Sequence, residues 1–436
     1  MPMAPLQQKG RAIVLRLVGI LCAACVSGGV RDEPPNRDDY WRALAELRPE
    51  DAKVTARSRS QREFAVALGN LMAGRLQEAE TSFASLRLSA DDSVLRVGAR
   101  MVYSATLQYQ EKWDTLAALA SDGSPAGFGS PPDLAGVGAW AAAFRGVPAK
   151  SLEFQSSGAI VPLRISEAGT PLVPVRIANK VYYFWLDTGS SMTIVSSDLA
   201  SELGLRPLSL DTLQIVTSIG RVAALPALFS RLDIGPVTVR NATAMIVSDE
   251  RMRIPGSARS DLPKPIRIDG IVGFDIIRRL DLEVDYADET LRVRNPAERR
   301  LVQRTERNFF LWIGIPVVRM RSGSGVLVHF GLDTGGQQTF ATETLLKKLG
   351  KTVPRTEKRR IGGMGGDLSL SLPIIPELEL WVGHRSLIFR AMAVYEPIYQ
   401  TLVALDGVLG SEIWSSGRIR MDATNGLFEV MDRSGN

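Results

Sequence analysis

The sequence has 436 residues, a net charge of +5, 45% hydrophobic residues and 23% charged residues. This length exceeds what one compact core accommodates and predicts two or three domains, and the balance of residues is that of a globular protein. A net charge this small for the size, carried by scattered basic residues, does not indicate a nucleic-acid binder.

The chain begins with the layout of an export signal, predicted over residues 1–27. Lys9 and Arg11 precede an uncharged apolar run at 17–26 that ends among small residues. The run is shorter than the roughly 20 residues that span a bilayer, which favours a signal over a permanent membrane helix. Residues 28–39, with two prolines among charges, are predicted to form a tether.

Both cysteines of the chain, Cys22 and Cys25, lie inside this signal, so the remainder has no disulfide. Cleavage after Ser27 would release a cysteine-free protein. Alternatively, the run at 21–25 resembles a bacterial lipobox, which would leave Cys25 as a lipidated N-terminus, although a lipobox normally has leucine where Cys22 stands. Either outcome predicts an exported protein, in the bacterial periplasm or anchored by a lipid to the cell envelope.

A helical segment is predicted over residues 40–120, where apolar positions recur at helical spacing. Residues 74–79, with Phe83 four residues later, resemble part of a tetratricopeptide repeat, and 110–115 resemble a second copy near that family's period of about 34 residues. The resemblance implies a surface for a peptide or protein partner; the alternative is a helical cap packed on the next domain. Residues 121–150, rich in Gly, Pro, Ser and Ala, predict a linker with one short helix.

From Leu163 onward, short β-branched runs between turn residues predict an all-β region, and this region repeats after 146 residues. In the first copy, a hairpin over 174–186 leads into Asp187. In the second copy, a hairpin over 316–332 leads into Asp333. Both aspartates stand in the sequence Leu-Asp-Thr-Gly, which a chance repetition does not explain.

Later landmarks keep the same order in both copies. A short helical stretch ends in Leu-Gly, a hairpin turn follows at Gly235 or Gly383, and the chain then reads Asp-Gly-apolar-apolar-Gly at 269–273 and 406–410. A last strand pair closes each copy. These landmarks predict two similar lobes, at 151–297 and 298–436.

Two matched lobes with one aspartate each predict a pair of carboxylates at their junction. Two carboxylates a few ångströms apart do not both ionise readily, so the pair retains one proton and can act as acid and base together. The only histidines, His329 and His384, are far apart in apolar strands. The sequence therefore lacks the grouped histidines that a zinc site or a serine or cysteine triad needs, and no metal or cofactor is predicted.

The hairpin into apolar-apolar-Asp-Thr-Gly, followed by apolar-apolar-Gly and a helical turn, resembles the retropepsin-like aspartic proteases over about residues 160–432. The resemblance implies a mainly β fold with two β-barrel lobes in one chain, a pseudo-dimer, preceded here by the helical segment. It implies an aspartic endopeptidase that acts on a peptide or protein substrate without a cofactor. In this reading, Asp187 and Asp333 activate a water molecule for peptide hydrolysis.

The resemblance also assigns roles to the loop residues. Thr188 and Thr334 would send their hydroxyls across the junction to the opposite loop, and Gly189 and Gly335 would let the backbone approach closely enough to bond the carboxylates. The apolar-apolar-Gly segments would pack beneath these loops.

The two loops differ at the next residue, which is Ser190 in the first copy and Gly336 in the second. A serine hydroxyl can donate to a carboxylate, whereas glycine has none. This difference predicts that Asp187 is the more acidic member of the pair.

Each copy also contains a candidate flap over the substrate cleft. Ile219 and Gly220 lie in the first, and Gly362, Gly363 and Met364 lie in the glycine-dense second. The family's flaps close over a substrate bound as an extended strand. A phosphate-binding loop is disfavoured, because no Lys-Ser or Lys-Thr pair and no helical pattern follow the glycines.

Two other functions are alternatives to the peptidase. A non-catalytic peptide-binding or scaffold protein on the same fold would explain Gly336 and the irregular first flap, but has no need of two aspartates. A helical-repeat adaptor with a merely structural β region does not explain the internal repeat.

Overall fold

The computed structural model describes residues 37–121, 132–218, 220–254, 266–298, 307–353, 355–396, 405–414 and 417–431. The predicted export signal, Cys25 and Ile219 lie outside these residues. Within them, no helix combines the length and apolar character needed to cross a membrane. The chain divides into two compact units, one ending at Gly146 and one beginning at Val147.

The first unit is helical. In chain order its described helices are α1 Arg37–Ala45, α2 Pro49–Thr55, α3 Arg59–Met72, α4 Leu76–Ser89, α5 Ser93–Tyr109, α6 Trp113–Ser121 and α7 Pro132–Ala143. The first begins three residues before the expected start at residue 40, and the last lies inside the expected linker.

Amphipathic spacing explains how these helices pack. Phe64 and Leu68 of α3 are buried together with Phe83 of α4, and the two phenylalanine rings meet edge to face at 5.5 Å. Ser58 begins α3 by accepting the N–H of Gln61, a typical N-cap.

The same turn precedes α4 and α6. Gly74 and Glu111 both have left-handed backbone angles, and the next residue in each case, Arg75 or Lys112, donates its N–H five residues back. Two helix pairs are therefore joined by one kind of C-terminal cap.

The second unit is built from strands, so the prediction of a mainly β protein with an N-terminal helical segment is confirmed. In its first lobe the strands are β1 Ser151–Phe154, β2 Gly158–Pro162, β3 Arg164–Ile165, β4 Pro171–Ile177, β5 Lys180–Leu186, β6 Thr193–Ser196, β7 Leu213–Val216, β8 Arg221–Ile234, β9 Val237–Val247, β10 Arg253–Ile254, β11 Ile266–Arg267, β12 Gly270–Val272, β13 Asp281–Asp285 and β14 Thr290–Arg294. Two short helices, α8 Ser197–Glu202 and α9 Phe274–Ile277, follow β6 and β12.

The region of the second predicted lobe is also built mainly from strands. Its strands are β15 Phe309–Phe310, β16 Val317–Ser322, β17 Leu327–Leu332, β18 Phe340–Ala341, β19 Thr356–Gly363, β20 Gly366–Val382, β21 Arg385–Val394, β22 Gly407–Leu409, β23 Arg418–Asp422 and β24 Leu427–Met431. Helix α10 Glu343–Leu349 follows β18, and a single 3₁₀ turn, Ser411–Trp414, follows β22.

Strand pairing shows that the two copies fold alike. Strand β12 lies parallel to β5 and antiparallel to β6, and β22 has the same relations to β17 and β18. Strands β6 and β9 pair in parallel, as do β18 and β21. In both lobes, the strand that ends at the aspartate is therefore held beside the apolar-apolar-Gly strand.

A five-stranded sheet joins the lobes, in the order β2-β14-β13-β23-β24. Its central pair is antiparallel and takes β13 from the first lobe and β23 from the second. Leu282, Val284, Ile419 and Met421 alternate on its buried face. On the other face, the Arg420 guanidinium donates to both carboxylate oxygens of buried Asp281, at 2.8 and 2.5 Å.

Candidate active site

Each aspartate follows a buried apolar strand end. Leu186 of β5 and Leu332 of β17 are almost fully buried. The backbone N–H of each aspartate donates to the apolar-apolar-Gly strand of its own lobe. Asp187 donates to Val272 O at 3.1 Å, and Asp333 donates to Leu409 O at 3.0 Å. These bonds hold the backbone of each aspartate against the neighbouring strand and so fix the position from which its side chain extends.

The two threonines join the loops across the lobe junction. The N–H of Thr188 donates to Thr334 Oγ1 at 3.0 Å, and the N–H of Thr334 donates to Thr188 Oγ1 at 3.0 Å. Each hydroxyl then donates to a carbonyl of the other lobe, Thr188 to Leu332 O at 2.6 Å and Thr334 to Leu186 O at 2.7 Å. Both threonines are fully buried, so neither loop completes its hydrogen bonds without the other lobe.

Close approach explains the glycines that follow. A Cβ added to Gly189 would lie 2.6 Å from Asp333 Cγ, and one added to Gly335 would lie 2.4 Å from Asp187 Cγ. Both distances are shorter than a non-bonded contact of a Cβ atom can be. Each glycine is therefore needed where it faces the carboxyl group of the opposite lobe, a requirement that the backbone N–H bonds alone do not impose.

The carboxyl groups accept main-chain donors of their own loops. Asp187 Oδ1 accepts the N–H of Gly189 at 2.8 Å and of Ser190 at 3.2 Å, and Asp333 Oδ1 accepts the N–H of Gly336 at 2.7 Å. Both aspartates remain partly exposed. Their outer oxygens can therefore be reached by a water molecule or a substrate.

Burial and mutual proximity shift the titration of the pair. Burial raises the pKa of Asp187 well above its usual range, and the charge of Asp333 and a hydrogen bond between the two carboxyls raise it further. Burial also raises the pKa of Asp333, against the opposing effect of the Gly336 N–H. Each carboxyl therefore keeps its proton to a higher pH than an exposed aspartate does.

The expected role of the Ser190 hydroxyl is wrong. The hydroxyl donates to Met192 O at 2.7 Å, and only the backbone N–H of Ser190 reaches Asp187. A hydroxyl turned toward the following loop closes a local turn instead of stabilising the carboxylate. The difference between Ser190 and Gly336 therefore gives no reason for Asp187 to be more acidic.

Two threonines, which were not expected to contribute to the site, join the apolar-apolar-Gly segments to the aspartate loops above them. The Gly273 N–H donates to Thr193 Oγ1 at 3.4 Å, and the Gly410 N–H donates to Thr339 Oγ1 at 3.0 Å. Each of these threonines stands six residues after its aspartate. That equal spacing was a signal in the sequence.

The two candidate flaps are hairpins at equivalent places in the sheets. The first flap, β7 and β8, carries Gly220 in a turn closed by the Thr217 N–H to Gly220 O at 2.8 Å. The second flap, β19 and β20, pairs Gly362 with Asp367 and Gly363 with Gly366, which puts Met364 at its tip.

Metal ligation has no support in the part of the chain that the structure describes, where no three His, Cys, Asp or Glu residues cluster. Of the two histidines, His329 is buried and its Nε2 accepts from Arg319 at 3.3 Å.

A family model described as aspartyl protease matches residues 173–276. The match runs from β4 through the Asp187 loop and the apolar-apolar-Gly segment into α9. No curated protein matches the chain. Over these residues the chain is similar to aspartyl proteases.

Proposed function

We propose that the chain is an aspartic endopeptidase in which Asp187 and Asp333 hydrolyse peptide bonds through a shared water molecule. The observation that carries this proposal is the junction itself. At this junction each aspartate carboxyl faces the glycine of the opposite loop, and four reciprocal threonine bonds hold the loops that present the two carboxyls. A protein that only bound peptides would gain nothing from keeping two such carboxyls together.

The chemistry follows from the retained proton. A water held between the outer carboxyl oxygens gives a proton to the ionised member as it attacks the carbonyl carbon, and the protonated member donates to the carbonyl oxygen. The tetrahedral product collapses when the leaving nitrogen takes a proton from the pair and one of the two hydroxyls returns a proton to the pair as the carbonyl re-forms. No covalent bond between enzyme and substrate is needed, and the pair ends with one proton as it began.

The flaps favour a substrate in extended form. Each hairpin bonds a residue of the opposite lobe at its turn, Gly365 with Arg251 and Ser218 with Tyr395, and the hairpin edges offer backbone donors and acceptors to an added strand. Such binding uses a stretch of main chain on both sides of the cleaved bond, which is why an endopeptidase is proposed.

The decisive experiment is cleavage of a peptide library between pH 3 and pH 8 (a range of roughly this width brackets carboxyl titration). We expect Asp187→Asn and Asp333→Asn each to lower turnover by about 10³-fold, because each removes either the acid or the base. Asp288→Asn, at the exposed turn between β13 and β14, is the matched control and should leave turnover unchanged. Equal turnover in all variants would end the peptidase proposal and leave the binding or scaffold protein.

Stability measurements separate lost chemistry from lost structure. Because burial raises both pKa values, the folded protein binds more protons than the unfolded chain, so stability falls as the pH rises from the unfolded value of about 4 through the folded values. The asparagine variants escape this loss. We expect them to melt a few degrees above the wild type at pH 7 and to lose this advantage below about pH 4.

A further inference from the structure

The tip of the second flap is bonded to the first lobe. The Gly365 N–H donates to Arg251 O at 3.0 Å, and the Arg251 Nη1 donates back to Gly365 O at 3.1 Å. Val222 of the first flap lies so close that a Cβ on Gly365 would be 2.9 Å from its Cγ2. The tip therefore sits on the opposite lobe through a two-way pair with one residue.

The loop that presents Arg251 is itself anchored. Asp249 accepts the Ser197 hydroxyl at 2.5 Å and the Asp198 N–H at 2.8 Å, both at the start of α8. Met252 is fully buried, and its carbonyl accepts the Ile268 N–H at 2.9 Å. With both neighbours fixed, the Arg251 main chain needs little ordering to hold the flap tip.

The first flap is bonded in turn to the second lobe. The Tyr395 hydroxyl donates to Ser218 O at 2.9 Å, in the turn that closes the first flap. The Tyr395 ring is buried and packs edge to face on Phe340 at 5.4 Å, and its N–H donates to Ala341 O at 2.9 Å. Phe340 and Ala341 form β18, the strand that follows the Asp333 loop.

Arg251 and Tyr395 occupy related places in the two lobes. Strands β9 and β21 are equivalent, since each pairs in parallel with the strand after its aspartate loop. Arg251 lies four residues after β9 and Tyr395 directly after β21. In each lobe, the segment that follows equivalent strands therefore contacts the flap of the other lobe.

We propose that Arg251 and Tyr395 are positioning residues that hold the two flaps down across the Asp187 and Asp333 pair, each lobe holding the other's flap. The inference rests on the proposed function. Each flap tip has a single large apolar residue, Ile219 or Met364, among glycines and small polar residues, so apolar packing alone gives little closure. A few hydrogen bonds from the opposite lobe supply that closure and are weak enough to be released when a substrate enters.

Hydrogen exchange measured by mass spectrometry on the full chain without substrate tests the contacts directly. Losing one hydrogen bond shifts an opening equilibrium by about threefold to tenfold. We expect Arg251→Ala to speed exchange by that factor in peptides spanning 361–368, and Tyr395→Phe to do so in peptides spanning 213–222. Each variant should leave the other flap unchanged.

Matched controls are available for both changes. Arg253→Ala removes an exposed arginine two residues from Arg251, and Tyr182→Phe removes a hydroxyl bonded to exposed Glu202. Exchange in the flaps that is no faster in Arg251→Ala and Tyr395→Phe than in these controls would overturn the proposal.

Peptide cleavage then separates positioning from chemistry. We expect kcat/KM to fall about threefold to tenfold in Arg251→Ala, mainly through KM, with both limbs of the pH profile unmoved. A moved limb would contradict a positioning role. If the wild type cleaves no peptide, the proposed function fails, and the exchange results alone decide whether these residues hold the flaps.

Discussion

Beneath the Asp187 loop lies a buried ion pair, whereas beneath the Asp333 loop a carboxylate accepts a backbone N–H. In the first lobe, Asp275 accepts the Thr193 hydroxyl at 3.1 Å and pairs with Lys150, whose side chain is fully buried. In the second lobe, Glu412 accepts the Thr339 N–H at 2.9 Å. The two supporting threonines are thus held in similar places by different chemistry.

The aspartate loops that lie on these supports do not differ in this way, because both have the sequence Asp-Thr-Gly. Residues in this layer of loops touch both lobes at once, and a change in one loop would leave the partner's donors unpaired. The bonds described beneath this layer each join residues of one lobe. The comparison teaches that symmetry is enforced where the lobes meet and is relaxed one layer away.

The largest expected effect concerns the support that the two lobes do not share. Lys150→Met leaves Asp275 buried without its cation, and breaking a buried pair in this way costs about 3 to 5 kcal/mol of unfolding free energy. Urea unfolding at pH 7 measures it. Glu412→Gln neutralises the corresponding carboxylate of the second lobe but keeps an oxygen that can accept the Thr339 N–H, so it should cost only about 1 kcal/mol. Equal losses would contradict the contrast drawn between the lobes.

The next effect tests the symmetric layer. Thr188→Val and Thr334→Val each remove a hydroxyl that makes two buried hydrogen bonds, so each should cost about 2 to 3 kcal/mol. Equilibrium unfolding should give the two variants equal losses within about 0.5 kcal/mol. The serine variants keep the hydroxyl and serve as controls. Clearly unequal losses would show that the junction is less symmetric than its geometry.

The smallest effect concerns the residue at which the loops first differ. Because the Ser190 hydroxyl bonds Met192 O, Ser190→Ala should leave the acidic limb of the pH profile for peptide cleavage unmoved and cost about 1 kcal/mol of stability. A shift of that limb would mean that the hydroxyl turns to Asp187 when a substrate is bound.

Much of the fold was predictable because its signals are local. Alternating strands, turn glycines and the duplicated Leu-Asp-Thr-Gly placed both hairpins and both aspartates, and equal spacing from the aspartates would have placed Thr193 and Thr339. Helix limits were less accurate, since α1 begins at Arg37 and α7, the short helix expected in the linker, already begins at Pro132.

What the sequence could not reveal depends on contacts between distant segments. Lys150 stands after Pro148 and Ala149 and resembles any surface lysine, yet it pairs with Asp275 at a separation of 125 residues. Arg251 and Tyr395 reach the opposite lobe, and no local pattern records that. The direction of the Ser190 hydroxyl was misjudged because a short side chain chooses between acceptors that only the folded loop defines.

The reciprocal threonine bonds also impose an order of events on the growing chain. Thr334 follows Thr188 by 146 residues, which at synthesis rates of about 5 to 20 residues per second is a delay of roughly 7 to 30 s. During that interval the Thr188 N–H has no partner, and β13 has no β23 beside it. The pair of carboxyls therefore cannot form until the second aspartate loop has been synthesised, and the first aspartate is without its counterpart until then.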